Sequence, residues 1–150
     1  MDADNNQNYQ VTARLLLDTF RVFEDDLALQ LSKKGFSNIT PGNFNIIRHI
    51  NPEGIGLTAL AEDAQISKQA IGKMISDLER KGYVRVIPNI TDGRAKTVQF
   101  TPKGEKLIRL AIDVVGSMEN HYQQILGKKN YNIFRQSAKK IQDWHISNRE

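Results

Sequence analysis

The sequence predicts a mainly α-helical chain with one small β-hairpin, an α+β fold, on three observations. Apolar residues recur at helical spacing over most of the 150 residues. Two short segments of alternating apolar and polar residues flank an Asp-Gly dipeptide, a pair typical of hairpin turns. The length suits one ordinary domain, or a small domain with an added helical layer.

Two helices are predicted in the first third of the chain. Residues 11–31 place seven apolar side chains on one broad helical stripe, and residues 33–35, Lys-Lys-Gly, fit the end of that helix. Thr40-Pro41 has the form of an N-cap followed by the first helical residue. We expect the second helix to hold Phe44, Ile47 and Ile50 and to stop at residues 51–52, Asn-Pro.

A helix-turn-helix is predicted next. A short third helix begins near Thr58, and residues 65–66 form a tight turn. Ser67 is a good N-cap for a fourth helix over residues 68–81, and Gly82 supplies its C-terminal stop. The apolar residues of the fourth helix lie on one side, so its other face should be polar and exposed.

The hairpin follows the fourth helix. Residues 83–88 and 95–101 form its two strands, with Val84 and Val86 opposite Val98 and Phe100. The segment NITDGRAK, residues 89–96, contains the turn. It also ends on two cations, Arg94 and Lys96, which a turn does not need for folding.

Two further helices complete the chain, and their apolar residues need a partner surface to cover them. Thr101-Pro102 repeats the helix-start signal, and a last helix begins after Gly127. The apolar stripes of the first, fifth and sixth helices exceed what the small central region can cover, and bare stripes of this length are unusual in monomers. A homodimer would cover them; packing against each other as an isolated bundle is the alternative.

The amino-acid composition of the chain excludes several classes of function and favours another. The absence of cysteine excludes disulfides, thiolate metal sites and thiol chemistry. The polar, acidic N-terminus lacks the features of a secretory signal and no apolar run is long enough to cross a membrane, so we expect a cytoplasmic protein with no membrane partner. Residues 67–109 carry 10 basic and 4 acidic side chains. This excess suggests a surface that faces a polyanion, although a solvated basic face has the same composition.

With its elements in this order, the sequence resembles the MarR family of winged helix-turn-helix transcriptional regulators. The resemblance covers nearly the whole chain and is most specific over residues 57–104. The matching motif residues are Leu57, Thr58, Leu60, Ala61, Ser67, Leu78, Glu79, Lys81, Gly82, Asp92, Arg94, Thr101, Pro102 and Gly104. It implies a winged DNA-binding part at about residues 40–101 and a helical dimerisation part at about residues 9–35 and 102–147.

The resemblance and the chemistry of the side chains together suggest a DNA-binding surface. A helix fits the major groove of DNA; Gln69 can pair with adenine, Lys73 can bind guanine or a phosphate, and Gly72 lets the backbone approach closely. The candidates on the fourth helix are Ser67, Lys68, Gln69, Gly72, Lys73 and Ser76.

The hairpin residues take their roles from the family. By that resemblance Arg94 enters the minor groove, Asp92 orients it and Lys96 holds a phosphate. Ala70 and Gly72 stand where relatives often carry longer side chains, which leaves the operator sequence open.

The family further implies a ligand-responsive repressor that binds a pseudo-palindromic operator as a homodimer. A small aromatic or anionic effector would bind between the helical layer and the winged part. The candidate lining residues are Phe20, Arg21, Phe44, Arg48, His49 and Tyr122.

Two other functions are alternatives to DNA binding. An enzyme is disfavoured because the three histidines are scattered and no HExxH, GxSxG or phosphate-loop motif is present. The sequence contains no His-x3-His pair of the kind that binds a metal ion, and no cofactor is expected. A winged-helix module that binds proteins is the stronger alternative, although a protein interface would not need the cations Lys68, Lys73, Arg94 and Lys96.

Overall fold

The computed structural model describes residues 11–88 and 96–148, which form six α-helices and three short β-strands. The helices are α1 (Thr12–Lys33), α2 (Pro41–Ile47), α3 (Leu57–Asp63), α4 (Lys68–Arg80), α5 (Pro102–Leu126) and α6 (Lys128–Ser147). The strands are β1 (Ile55–Gly56), β2 (Val84–Pro88) and β3 (Lys96–Phe100). The predicted fold class and the predicted order of helices are confirmed.

The chain divides into two compact units, the first extending to Ala111 and the second beginning at Ile112. The first unit holds α1 to α4, the sheet and the start of α5, and the second holds the rest of α5 and α6. The DNA-binding part at residues 40–101 and the helical part at residues 9–35 and 102–147 are a functional division, which stays a prediction.

Local side-chain caps explain why α4 and α5 begin where they do. The Ser67 hydroxyl accepts a hydrogen bond from the backbone N–H of Ala70 (3.2 Å). The Thr101 hydroxyl accepts one from the N–H of Gly104 (3.1 Å). Each cap satisfies a donor that the helix itself leaves without a partner. Gly82 follows α4 with φ +79°, the left-handed conformation that glycine adopts most easily.

The sheet contains one strand that the sequence did not predict. Strand β1 is only two residues long, too short to show an alternating pattern, and it pairs antiparallel with β3 through Ile55 and Val98. The predicted hairpin register is confirmed, because Val84 lies opposite Phe100 and Val86 opposite Val98. The strand order is β1-β3-β2, so β2 lies at an edge.

The predicted extent of the second helix was wrong at its C-terminal end. Helix α2 stops at Ile47, and Ile50 lies just beyond the turn at residues 48–49 that follows. Ile50 is nevertheless buried. The apolar spacing was therefore a signal of burial rather than of helix at that position.

A tightly packed core lies beneath the helix-turn-helix. Its fully buried side chains come from α1, α2, α3, α4, the turn before β2, the two hairpin strands and the start of α5. They are Leu31, Ile46, Leu60, Ile71, Leu78, Tyr83, Val84, Val98 and Leu107. Helix α4 contributes Ile71, Ile75 and Leu78 from one face, which leaves its opposite face toward solvent.

The helical segments bury far less of their apolar surface within one chain. In the first unit, Leu27 and Leu31 of α1 are buried, whereas Leu15 and Phe20 nearer its start are exposed. In the second unit the exposed apolar residues of α5 and α6 include Ile125, Leu126, Ile133, Phe134, Ile141, Trp144 and Ile146. Among the described residues, no helix is both long and apolar enough to cross a membrane.

Candidate nucleic-acid interface

The polar face of α4 presents all six of the predicted DNA-facing residues. Ser67, Lys68, Gln69, Lys73 and Ser76 are exposed, and Gly72 is half-buried. Five of them line one open depression on the surface of α4 together with two residues that sequence reasoning missed. The lining residues are Lys68, Gln69, Gly72, Lys73, Ser76, Asp77 and Arg80.

Four polar residues form a narrow stripe along this face. Gln69, Lys73, Ser76 and Arg80 follow each other at intervals of four, three and four residues. At 3.6 residues per turn they fall within an arc of about 60°, and they extend over about 16 Å of helix at 1.5 Å per residue. The stripe is therefore straight enough to face one groove of a double helix.

Gly72 leaves a gap between the side chains on this face. The packing of the chain does not require a glycine at this position. A Cβ atom built at this position would meet no atom within 4 Å, and its φ is not positive. Glycine in a helix costs about 1 kcal/mol relative to alanine. The contacts of this chain do not account for that cost, whereas the close approach of an external surface to the backbone would.

Asp77 is held by two cations and an amide near the C-terminal end of α4. Its Oδ1 lies 2.7 Å from Nη2 of Arg80, and its Oδ2 lies 2.6 Å from Nζ of Lys81. Oδ2 also accepts a hydrogen bond from Nδ2 of Asn43 (3.4 Å). The bond from Lys81, and then that from Arg80, lowers the pKa of Asp77 to about 2. Asp77 is thus a carboxylate at any physiological pH.

Asn43 extends this polar cluster from α4 to the start of α2. The side chain is buried, and its Oδ1 accepts hydrogen bonds from the backbone N–H of Thr40 (3.1 Å), the Thr40 hydroxyl (3.0 Å) and Nζ of Lys81 (3.1 Å). Its partners lie up to 38 residues away in the chain. The i+3 and i+4 spacing from Asp77 to Arg80 and Lys81 could have been found in the sequence, but the link to Asn43 could not.

The start of α5 is fastened to the end of α4. The Thr101 hydroxyl donates to the carbonyl of Gly82 (2.6 Å), and Nζ of Lys103 donates to the carbonyl of Lys81 (2.7 Å). A Cβ atom at Gly104 would lie 2.0 Å from the carbonyl oxygen of Tyr83, a distance that no side chain tolerates. The Thr-Pro-x-Gly motif therefore fixes the start of α5 against the end of α4.

Strand β2 is fastened to α4 as well. The backbone N–H of Val86 donates to Oε1 of Glu79 (2.9 Å), which satisfies a donor on the outer edge of the sheet. Lys96 begins β3 opposite Pro88 and is exposed. Asp92 and Arg94 lie outside the described residues, so their roles stay predictions.

Three of the six effector candidates meet in the first unit. The guanidinium of Arg48 lies 5.3 Å from the centre of the Phe20 ring, its Nη2 pairs with Oε1 of Glu24 at 2.6 Å, and its Nε donates to the carbonyl of Phe44 (3.0 Å). The Phe44 side chain is buried in the core. Sequence reasoning missed Glu24, a carboxylate that already occupies the arginine.

The other three candidates differ in their exposure. Arg21 is exposed on α1, His49 is half-buried beyond α2, and Tyr122 is exposed on α5 in the second unit. Among the described residues, no group of three or more His, Cys, Asp or Glu side chains could hold a metal ion.

Residues 37–95 match the sequence model of the MarR family. The transcriptional regulator HosA of Escherichia coli O127:H6 is 28% identical over 105 residues, which cover 69% of this chain and 78% of HosA.

Solved structures show the same fold at low sequence identity. FabT of Streptococcus pneumoniae in complex with DNA superposes with a TM-score of 0.79 at 16% identity, covering 93% of this chain and 98% of that one. The apo form of wild-type MarR from E. coli superposes with a TM-score of 0.69 at 22% identity, covering 87% and 96%. Both likenesses extend over the helical segments as well as the helix-turn-helix.

Proposed function

The chain belongs to the MarR family, and from this membership we propose that it is a sequence-specific DNA-binding transcriptional regulator that acts as a homodimer on a pseudo-palindromic operator. The observation that carries the proposal is α4, a capped helix with one face in the core and a polar stripe on the other. HosA is a transcriptional regulator, and FabT was solved in complex with DNA.

Helix α4 would lie in the major groove with its N-terminal end toward the bases. Gln69 can make two hydrogen bonds to adenine, and Lys73 can donate to guanine or to a phosphate. Ser67, Lys68 and Ser76 would contact the flanking backbone, and backbone N–H groups at the start of a helix also attract phosphate. At Gly72 the bare backbone permits an approach that a methyl group would prevent.

The segment between β2 and β3 would contact the neighbouring minor groove. Arg94 would enter that groove, where the negative potential of DNA is concentrated, with Asp92 orienting it and Lys96 on a phosphate. The bond between Glu79 and Val86 supports this proposal, because it fastens the strand before the segment to α4.

Dimerisation is supported by the apolar residues that each unit leaves exposed. Leu15 on α1, and separately Ile125, Phe134 and Trp144 in the second unit, would contact a second copy. Two copies related by a two-fold axis would place their α4 helices about 34 Å apart, one turn of DNA, which matches a pseudo-palindrome.

Binding titrations with the DNA upstream of the protein's own gene, beside a random duplex of equal length, test the proposal. We expect tighter binding to the upstream DNA and a steep loss of affinity as salt rises, because each phosphate contact releases counterions. Equal, salt-insensitive failure on both duplexes would contradict DNA binding and favour a module that binds proteins. Arg94→Ala should weaken binding at an unchanged unfolding midpoint.

We also propose that a small aromatic anion regulates DNA binding at the cluster of Phe20 and Arg48. The support is chemical: an exposed ring lies beside the guanidinium of Arg48, whose Nη2 binds Glu24 and whose Nε binds the carbonyl of Phe44, so that Nη1 would be the donor to the anion. A ligand acts only if its affinity differs between the DNA-binding form and another form. Benzoate should weaken DNA binding by the wild type and not by Arg48→Gln; an equal response of both proteins would contradict this site.

We propose no catalytic activity and no cofactor, since the family consists of transcriptional regulators. A regulator acts where its DNA is, so the proposed location is the cytoplasm. The purified chain should therefore bind its operator without added metal or nucleotide.

A further inference from the structure

We propose that Arg80, at the C-terminal end of α4, binds a DNA backbone phosphate at the edge of the major groove, and that Asp77 holds Arg80 in position for this contact. The inference rests on the proposed function, since it adds a residue to the same interface. Neither residue belongs to the DNA-facing set that the sequence predicted.

The position of Arg80 on the helix is the first argument. It continues the stripe of Gln69, Lys73 and Ser76 and lines the same depression. It lies eleven residues beyond Gln69, about 16 Å along the axis. The major groove is about 12 Å wide, so a helix that reads bases with its first turn reaches the phosphate backbone by its last.

The geometry of the guanidinium is the second argument. The side chain of Arg80 is 80% exposed and uses Nη2 for Asp77. A guanidinium carries five N–H donors, and the pair with Asp77 leaves the N–H groups of Nε and Nη1 and the second hydrogen of Nη2 to donate to a phosphate. An arginine held in this way loses less conformational entropy on binding than an unrestrained one.

Asp77 can hold Arg80 because Asp77 is itself fixed. Its second oxygen is bound by Lys81 and Asn43, which connects it to the buried start of α2. Asp77, Arg80 and Lys81 together carry a net charge of +1, so the carboxylate does not make this end of the helix negative. Asp77 is ionised throughout the pH range of DNA-binding assays, since its pKa of about 2 lies well below that range.

The competing explanation is an ordinary surface ion pair. Pairs at i,i+3 on exposed helix faces contribute little to stability and are found without any function. The two explanations differ in what they predict for DNA binding, because a purely local pair would leave affinity and salt dependence unchanged when Arg80 is replaced.

The test compares Arg80→Gln with a matched control, Arg109→Gln. Arg109 is also an exposed arginine in a helical ion pair, with Glu105 at 3.6 Å, but it lies on α5. At moderate salt, Arg80→Gln should bind the operator about tenfold more weakly. The slope of log affinity against log salt should fall by about 1.8, because a dimer loses two phosphate contacts. Arg109→Gln should match the wild type in both.

Two further variants separate charge from positioning. Arg80→Lys keeps the charge but not the planar fork, so it should retain the salt slope and lose part of the affinity. Asp77→Asn should weaken binding in the wild-type background and should not weaken it in the Arg80→Gln background. Urea unfolding midpoints of all variants show whether any loss reflects unfolding rather than contact.

Each contrary outcome has one meaning. If Arg80→Gln binds like the wild type while the wild type shows steep salt dependence, the Arg80 contact is overturned and the proposed function stands. If Asp77→Asn raises the affinity equally in both backgrounds, Asp77 only repels DNA and its positioning role is overturned. If the wild type shows no salt-dependent DNA binding, both proposals are overturned.

Discussion

The helix-turn-helix region and the helical segments at the two ends of the chain differ in how completely they bury their apolar residues. In the former, Leu60, Leu78 and Tyr83 are 0% exposed. In the latter, Ile125 is 68% and Trp144 62% exposed. The first region is complete within one chain, whereas the second leaves an apolar surface that a partner must cover. Similar helical stripes in a sequence can therefore describe two different packing situations.

The polar contacts of the two regions also differ, in how far apart in the chain their partners lie. The helix-turn-helix region joins residues far apart in the chain, as Asn43 with Lys81 and Thr101 with Gly82. In α6 the described ion pair, Lys139 with Asp143, connects neighbouring turns of one helix. Contacts of that kind stabilise a helix by a few tenths of a kcal/mol and do not fix its position. The tertiary order of α6 should therefore depend on dimerisation.

The largest expected effect comes from Leu78→Ala, which creates a cavity in the complete region. Leu78 is fully buried, so we expect a loss of about 2–5 kcal/mol in the free energy of unfolding, measured by urea denaturation at fixed protein concentration. Leu29→Ala on exposed α1 surface is the control and should cost less than about 1 kcal/mol. Similar losses for both would remove the contrast between buried and exposed leucines.

Phe134→Asp addresses the incomplete region. Phe134 is exposed in one chain, so the variant should keep its helix content while a carboxylate enters the proposed dimer surface in both copies. The dimer dissociation constant should rise by about 100-fold or more, measured by sedimentation. Gln136→Asp, at a polar position of α6, should dimerise normally. An unchanged dimer in Phe134→Asp would place the interface elsewhere.

Gly72→Ala should separate stability from DNA binding within the helix-turn-helix region. Nothing lies within 4 Å of the new methyl group, so the free energy of unfolding should rise by about 0.5–1 kcal/mol. DNA affinity should fall because the methyl group keeps the backbone away from the groove. Gly116→Ala on α5 also meets no atom and should change stability without the loss of affinity. Undiminished binding by Gly72→Ala would show that the backbone does not approach DNA there.

The smallest effect concerns pH. The pKa of Asp77 is about 2 in the folded chain, below its ordinary value of 3.8, so its carboxylate stabilises the fold above about pH 4 and loses that contribution as pH falls toward 2. The stability difference between the wild type and Asp77→Asn should shrink over this interval. A difference that stays constant from pH 5 to pH 2 would mean that the ion pairs with Lys81 and Arg80 do not stabilise the folded state.

The candidate site was only partly visible in the sequence. The polar face of α4 followed from helical periodicity, because Ile71, Ile75 and Leu78 fix which side is buried. Asp77 and Arg80 also lie on that face, yet an i,i+3 pair of opposite charge is common on any helix. Their link to Asn43 depends on the packing of α2 against α4, which no local pattern records.

By itself the sequence determined the fold class, the starts of α4 and α5 and the hairpin register, because caps, glycine stops and apolar periods act over a few residues. Only the tertiary structure decided that β1 exists, that Ile50 is buried beyond the end of α2, and that Asp77 joins α4 to α2. Those features depend on contacts between residues distant in the chain. Their free energies arise from packing and desolvation, which are properties of the assembled structure and not of any short segment.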